Sequence, residues 1–151
     1  MDSQKASLRR EATLRERVVF RGHPMVRSLH PTTIEVTTEA HLTLRGDCII
    51  GVSADKGCLH LREETKEALR REDAKVTLKI LSGPESFSFK ARGHPGLLLS
   101  DSHDIVVRKS GFLSERTLAV GAGAAAKDIP RSLVARLANP DAIGVLEIEV
   151  A

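Results

Sequence analysis

The chain contains no tryptophan and no tyrosine, and its aromatic side chains are four phenylalanines. That excludes the stacking platform on which single-stranded RNA and DNA binders rely. Cysteine is nearly as scarce. Cys48 and Cys58 form neither a CxxC redox pair nor part of a zinc ribbon, so both are expected to be buried free thiols. The six histidines show no HxH or HExxH spacing, which leaves a metal or other cofactor without sequence support. No stretch approaches the roughly 20 apolar residues of a membrane span. The opening MDSQKASLRREATLRERV has neither an apolar core nor a small-residue cleavage site, so a cytoplasmic protein is expected. Side-chain amides number two, Gln4 and Asn139, and arginine outnumbers lysine, a bias suited to high temperature.

What is present fits one compact core: 151 residues, 41% hydrophobic and 28% charged. Residues 1–12 read as a flexible extension and 13–151 as a single domain. The net charge of +3 permits contact with phosphates without demanding it.

The string RGHP occurs twice, at Arg21 to Pro24 and at Arg92 to Pro95. Sliding the chain by 71 positions aligns Ile34 with Ile105, Val36 with Val107, Leu42 with Leu113, Arg45 with Arg116, Ala54 with Ala125 and Lys56 with Lys127. Dropping three residues after that stretch lays AKVTLKI over AIGVLEI. The pattern implies an internal duplication, with halves at about 14–81 and 85–151. Each half reads as strand, RGHP turn, β-branched strand, loop, second strand, helix and closing strand. The helices are expected within LREETKEALRRED and over Pro130 to Ala138. The fold class is therefore α+β, mainly β: a sandwich or partly closed barrel of two pseudo-two-fold-related halves with one helix each.

RGHP followed by HPTTIEVT, then LTLRGDCIIGV with ADK after it, and later LSDSHDIVVRKSGFLSERTLAV, resemble an archaeal family catalogued as domain of unknown function 371. The resemblance covers the chain from about Leu14 onward. It implies a β-sandwich-like fold and an archaeal source, and it brings no activity.

Features shared by both halves are expected to serve the fold, and features of one half to serve function. Gly22, His23 and Pro24, with Gly93, His94 and Pro95, belong to the first group. They read as a turn whose imidazole binds backbone, against the alternative of two symmetric histidine ligands. If the first half forms an antiparallel hairpin, Glu35 stands opposite Arg45 and Thr33 opposite Asp47, with His30 and Cys48 on the other face. That set is either a cross-strand ion pair on a solvated face or a polar pocket in which Glu35 or Asp47 acts as a catalytic base. The second half gathers Asp101, His103, Asp104, Arg108, Lys109 and Arg116. With Arg45, the cations Arg108, Lys109 and Arg116 read either as a solvated strand edge or as a clamp for phosphate. Two functions follow. The favoured one is a non-catalytic binding module for phosphates of structured RNA or for an acidic protein. The alternative is an enzyme for a small ligand using a carboxylate base between the halves. GAGAAAK at Gly121 to Lys127 lacks the GK[ST] ending of a phosphate loop and reads as a connection. Oligomeric state is not encoded in any of these patterns.

Overall fold

The computed structural model describes residues 13–42 and 46–151. The expected extension over residues 1–12 lies outside the described residues, as does Arg45.

Alternating sequences give the strands: in LRERVVFR, Glu16, Val18 and Phe20 point inward while Arg15, Arg17 and Val19 point to solvent. Among the described residues eight strands form in chain order: β1 (Leu14–Arg21), β2 (Thr33–Thr37), β3 (Ile49–Gly51), β4 (Lys75–Ser82), β5 (Glu85–Arg92), β6 (Asp104–Arg108), β7 (Thr117–Ala119) and β8 (Ile143–Val150). Two short helices interrupt them, α1 (Glu63–Leu69) before β4 and α2 (Arg131–Leu137) before β8. Among the described residues no helix is long and apolar enough to cross a membrane.

The strands make two four-stranded sheets, ordered β1-β8-β4-β5 and β3-β2-β6-β7. Between them lies one core, centred on Phe20, Ile34, Ile50, Leu78, Ile80, Ile105, Leu118 and Ile148, with Leu69, Leu133 and Leu137 added from the helices. Single bridges, Arg21 to Val52 and Arg92 to Val120, tie the corners of the two sheets together. Among the described residues no ladder closes them into a barrel, so of the two expected architectures the sandwich is the one formed.

The halves interlock. In the first sheet, strands of the first half (β1, β4) alternate with strands of the second (β8, β5), and β1 pairs only with β8. The pseudo-two-fold axis passes through the pair Lys79 and Glu147 in this sheet and through Glu35 and Val106 in the other. A residue on such an axis directly faces its own counterpart, where like charges repel. The chain avoids this with opposite charges at one crossing and a carboxyl against a valine at the other.

The repetition has a different register from the one the sequence suggests. Leu14 to Glu85 and Thr33 to Asp104 are displaced by 71, but Ile49 to Thr117, Glu63 to Arg131 and Lys75 to Ile143 by 68. The three-residue difference therefore falls in the loop between β2 and β3, not before the helix. Arg45, Ala54 and Lys56 are consequently not the counterparts of Arg116, Ala125 and Lys127. Arg116 corresponds to Cys48: the Glu35 amide donates to the Cys48 carbonyl at 2.8 Å just as the Val106 amide donates to that of Arg116 at 2.8 Å. Both RGHP corners repeat as well. The His23 amide donates to the Leu137 carbonyl and the His94 amide to that of Leu69, so each corner rests on the other half's helix. Each imidazole Nδ1 accepts from a backbone amide two residues on, Met25 at 3.0 Å and Gly96 at 2.8 Å.

The core compensates between halves. A side chain at Gly51 or Gly144 would enter the ring of Phe20. At the equivalent positions of the second half, Ala91 replaces the phenylalanine and Ala119 and Val76 replace the glycines. Volume is moved among the three positions while the total is roughly kept.

Candidate functional site

The outer face of the second sheet carries the polar residues. On β2, Ile34 and Val36 point into the core, leaving Thr33, Glu35 and Thr37 outward. Across β6 they meet Arg108, Val106 and Asp104. This face is not solvated as a simple surface ion pair would be, because Glu35 is only 5% exposed.

The expected antiparallel hairpin is not formed. β2 and β3 run parallel, with Glu35 beside Ile49 and Val36 beside Gly51. The reason is local. At the entry to β3 the Asp47 carbonyl is held by the amides of Leu29 and His30, which precede β2, at 3.1 and 3.2 Å. Asp47 then turns its carboxylate to Arg27 at 3.9 Å. Its cation is Arg27 and that of Glu35 is Arg116, so the expected set around one arginine is not assembled. His30 and Cys48, in turn, are not confined to the opposite face. His30 Nδ1 lies 2.9 Å from Thr33 Oγ1, and the Cys48 thiol is pushed up by burial and then by the Glu35 charge.

The carboxylate that does join Glu35 is Asp104, with Arg116 between them. Arg116 Nη1 lies 3.3 Å from Glu35 Oε1 and 3.2 Å from Asp104 Oδ2. Burial, reinforced by Asp104, pushes the Glu35 carboxyl up to about 7, against the opposing pull of Arg116 and Arg108. Burial alone would lower the Arg116 guanidinium, but Glu35 and Asp104 outweigh it and hold it charged. Asp104 is fixed by its own turn, in which Asp101 Oδ1 accepts from the amides of His103 and Asp104, both at 2.7 Å.

The remaining cations of the expected clamp are engaged separately. Arg108 donates from Nε to Thr117 Oγ1 at 2.9 Å and from Nη2 to Ser114 Oγ at 3.2 Å, and its guanidinium lies 5.0 Å from the centre of the exposed Phe112 ring. Lys109 pairs with Asp128 at 3.4 Å. Beside Arg116 a depression of about 340 Å³ opens, lined by Asp101, Asp104, Ser114, Glu115 and Arg116. Among the described residues no group of three His, Cys, Asp or Glu side chains is placed to hold a metal ion. Gly121 to Lys127, set aside as a connection, links β7 to α2.

A second buried carboxylate escaped the sequence reading. Glu16, 3% exposed, takes Lys56 Nζ at 3.0 Å and the Arg62 backbone amide at 3.1 Å, at the start of α1. Thr65, buried and without a well-formed hydrogen bond, is close enough to favour the charged carboxylate. Burial raises the carboxyl, but Thr65, Lys56 and the Arg62 amide together hold it below its ordinary value. In the second half the same positions are Phe87, Ala124, Pro130 and Leu133. Lys56, the Arg62 amide and Thr65 already serve this carboxylate, which makes it an internal brace. The one available signal was a lone glutamate at an inward position of an alternating strand.

A family model for a domain of unknown function (DUF371) matches residues 18–151. An uncharacterized protein of the archaeon Methanocaldococcus jannaschii is 40% identical over 117 residues, covering 78% of this chain and 86% of that protein.

Proposed function

The chain belongs to the DUF371 family, and from that premise we propose that it binds a small polar ligand at the pseudo-two-fold axis, with Glu35 as the proton carrier. The family description assigns no chemistry, so the reading rests on the site. One observation carries it: a buried carboxyl pushed up to about 7 is paired with Arg116, which itself lines a depression large enough for a small molecule. Asp101, Asp104 and Glu115 suit donor groups of the ligand, and Arg116 an acceptor. Displacing Arg116 toward the ligand would bare Glu35, whose carboxylate takes a proton from the bound molecule and returns it as the carboxylic acid. Described cations of the expected phosphate clamp are taken up by carboxylates or hydroxyls, so that reading draws less support here. We also read the repetition as a duplicated and fused segment, the scarcity of amides as suited to high temperature, and the cytoplasm as the place of action.

Glu35→Gln tests the carboxyl directly. The unfolded chain releases this proton near 4.5 and the folded chain near 7. Folding therefore retains a proton between those values, and stability falls as pH rises across them, by on the order of 3 kcal/mol. The expected result is a wild-type melting temperature that drops from pH 5 to pH 8 and a variant that lacks this slope. Ligand-observed NMR against a library of small polar compounds should yield hits at pH 7 that the variant loses while its melting temperature at pH 5 is retained. Parallel melting curves, or hits indifferent to the substitution, would refute the assignment.

A further inference from the structure

The outer face of the first sheet is open, and its side chains form a grid set by the strand registers. One row reads Arg15, Glu149, Thr77, Lys90 and the next Arg17, Glu147, Lys79, Ser88, with Lys75 opposite Arg92 beyond the first. With Arg21, also outward on β1, seven cations stand against two glutamates, a net +5 on a chain whose total is +3. The rest of the molecule is therefore slightly acidic, and the basic character of the protein resides in this face. The glutamates neutralise little of it. Glu149 approaches Arg15 at 3.7 Å and Glu147 approaches Arg17 at 3.8 Å, long pairs in which the arginines are exposed and the glutamates half-buried. The cations Arg15, Arg17, Lys75, Lys90 and Arg92 are solvent-exposed.

We infer that this face binds the phosphodiester backbone of a double-stranded nucleic acid. The charge is complementary, and side chains two residues apart along a strand repeat at about 7 Å, presenting rows of cations to a continuous line of phosphates. No outward position of the four strands is aromatic. The surface therefore has nothing on which an unpaired base could stack, and it fits a duplex rather than a single strand. A second copy of the chain laid face to face would set cations on cations. This surface lies on the opposite sheet from Glu35, so its fate is independent of the ligand site.

The test is fluorescence anisotropy with labelled 20-base-pair duplex RNA, the same duplex as DNA, its single strand, and poly-glutamate, from 50 to 300 mM salt. Binding of duplex with a log–log salt slope of about −3 to −4 is expected, from some four phosphates neutralised. A preference for RNA or DNA identifies the natural source. The triple variant Lys75→Gln, Lys79→Gln, Lys90→Gln should weaken duplex binding at least about tenfold and flatten the slope by about 3, with its melting temperature recording that it folds. Lys127→Gln, in the turn before α2, should change neither. Tighter binding of the single strand or of poly-glutamate, salt-insensitive binding, or a folded triple variant with unchanged affinity each overturns the inference.

Discussion

Replacing Phe20 with alanine is expected to remove about 3–5 kcal/mol of folding stability, read from urea denaturation. The ring is 1% exposed and seated over two glycines, one in β3 and one in β8, so its loss opens a void that neither neighbour can fill. The second half already shows how the void is closed. There an alanine stands in place of the ring, and Ala119 and Val76 supply the missing volume. Adding Gly51→Ala and Gly144→Val to Phe20→Ala should therefore recover a large part of the loss. The same two substitutions in the presence of Phe20 should be damaging, because their side chains would occupy the ring's space. A triple variant no more stable than Phe20→Ala would show that the halves do not pack equivalently.

The second large effect is expected at Glu16. Glu16→Ala leaves Lys56 and the Arg62 amide just before α1 without their partner, a change that typically costs about 3 kcal/mol or more when the charge is buried. Lys56 retains some access to water and a bond to the Arg17 carbonyl, which tempers the loss. Converting the whole brace to its second-half form, with Glu16→Phe, Lys56→Ala, Arg62→Pro and Thr65→Leu, should cost less than the single substitution, because no ion or amide is then stranded. The pH dependence has the opposite sign from that of Glu35. Glu16 is held below its ordinary value, so its contribution is complete above about pH 4.5 and lost as the pH falls through the folded value. The two carboxyls together place the stability maximum in mildly acidic solution. An alanine variant within about 1 kcal/mol of wild type would mean that Lys56 and the helix terminus find water instead.

Strand alternation and helix periodicity were readable in the sequence because each depends only on near neighbours. LRERVVFR and AKVTLKI declare which side chains face inward, and Thr65, Ala68 and Leu69 declare the buried stripe of α1. Alternation cannot say which strand lies alongside. Glu35 was placed on the right kind of face with the wrong neighbour, since β3 arrives parallel and the true cross-strand partner, Val106, comes from the other half. Similarity alone also misplaced the length difference between the halves, because the chance identities of Arg45, Ala54 and Lys56 masked a shift that only hydrogen bonds reveal. Among the described residues the expected second strands keep three residues each, for a comparable reason. Gly46 and Ser114 carbonyls accept from the amides of Ile49 and Thr117, spending the preceding residues on tight turns. The basic face was invisible because Arg15 and Arg17 lie far in sequence from Lys90 and Arg92, and only the order of strands brings them to one surface.

The interlocked order of the first sheet also governs when the molecule can form during synthesis. β8 emerges after every other strand, yet it belongs between β1 and β4. Until the ribosome has delivered it, β1 has no ladder partner and the hairpin of β4 and β5 stands alone with an unsatisfied inner edge. The nascent chain must therefore be shielded, or kept loose, through most of its translation.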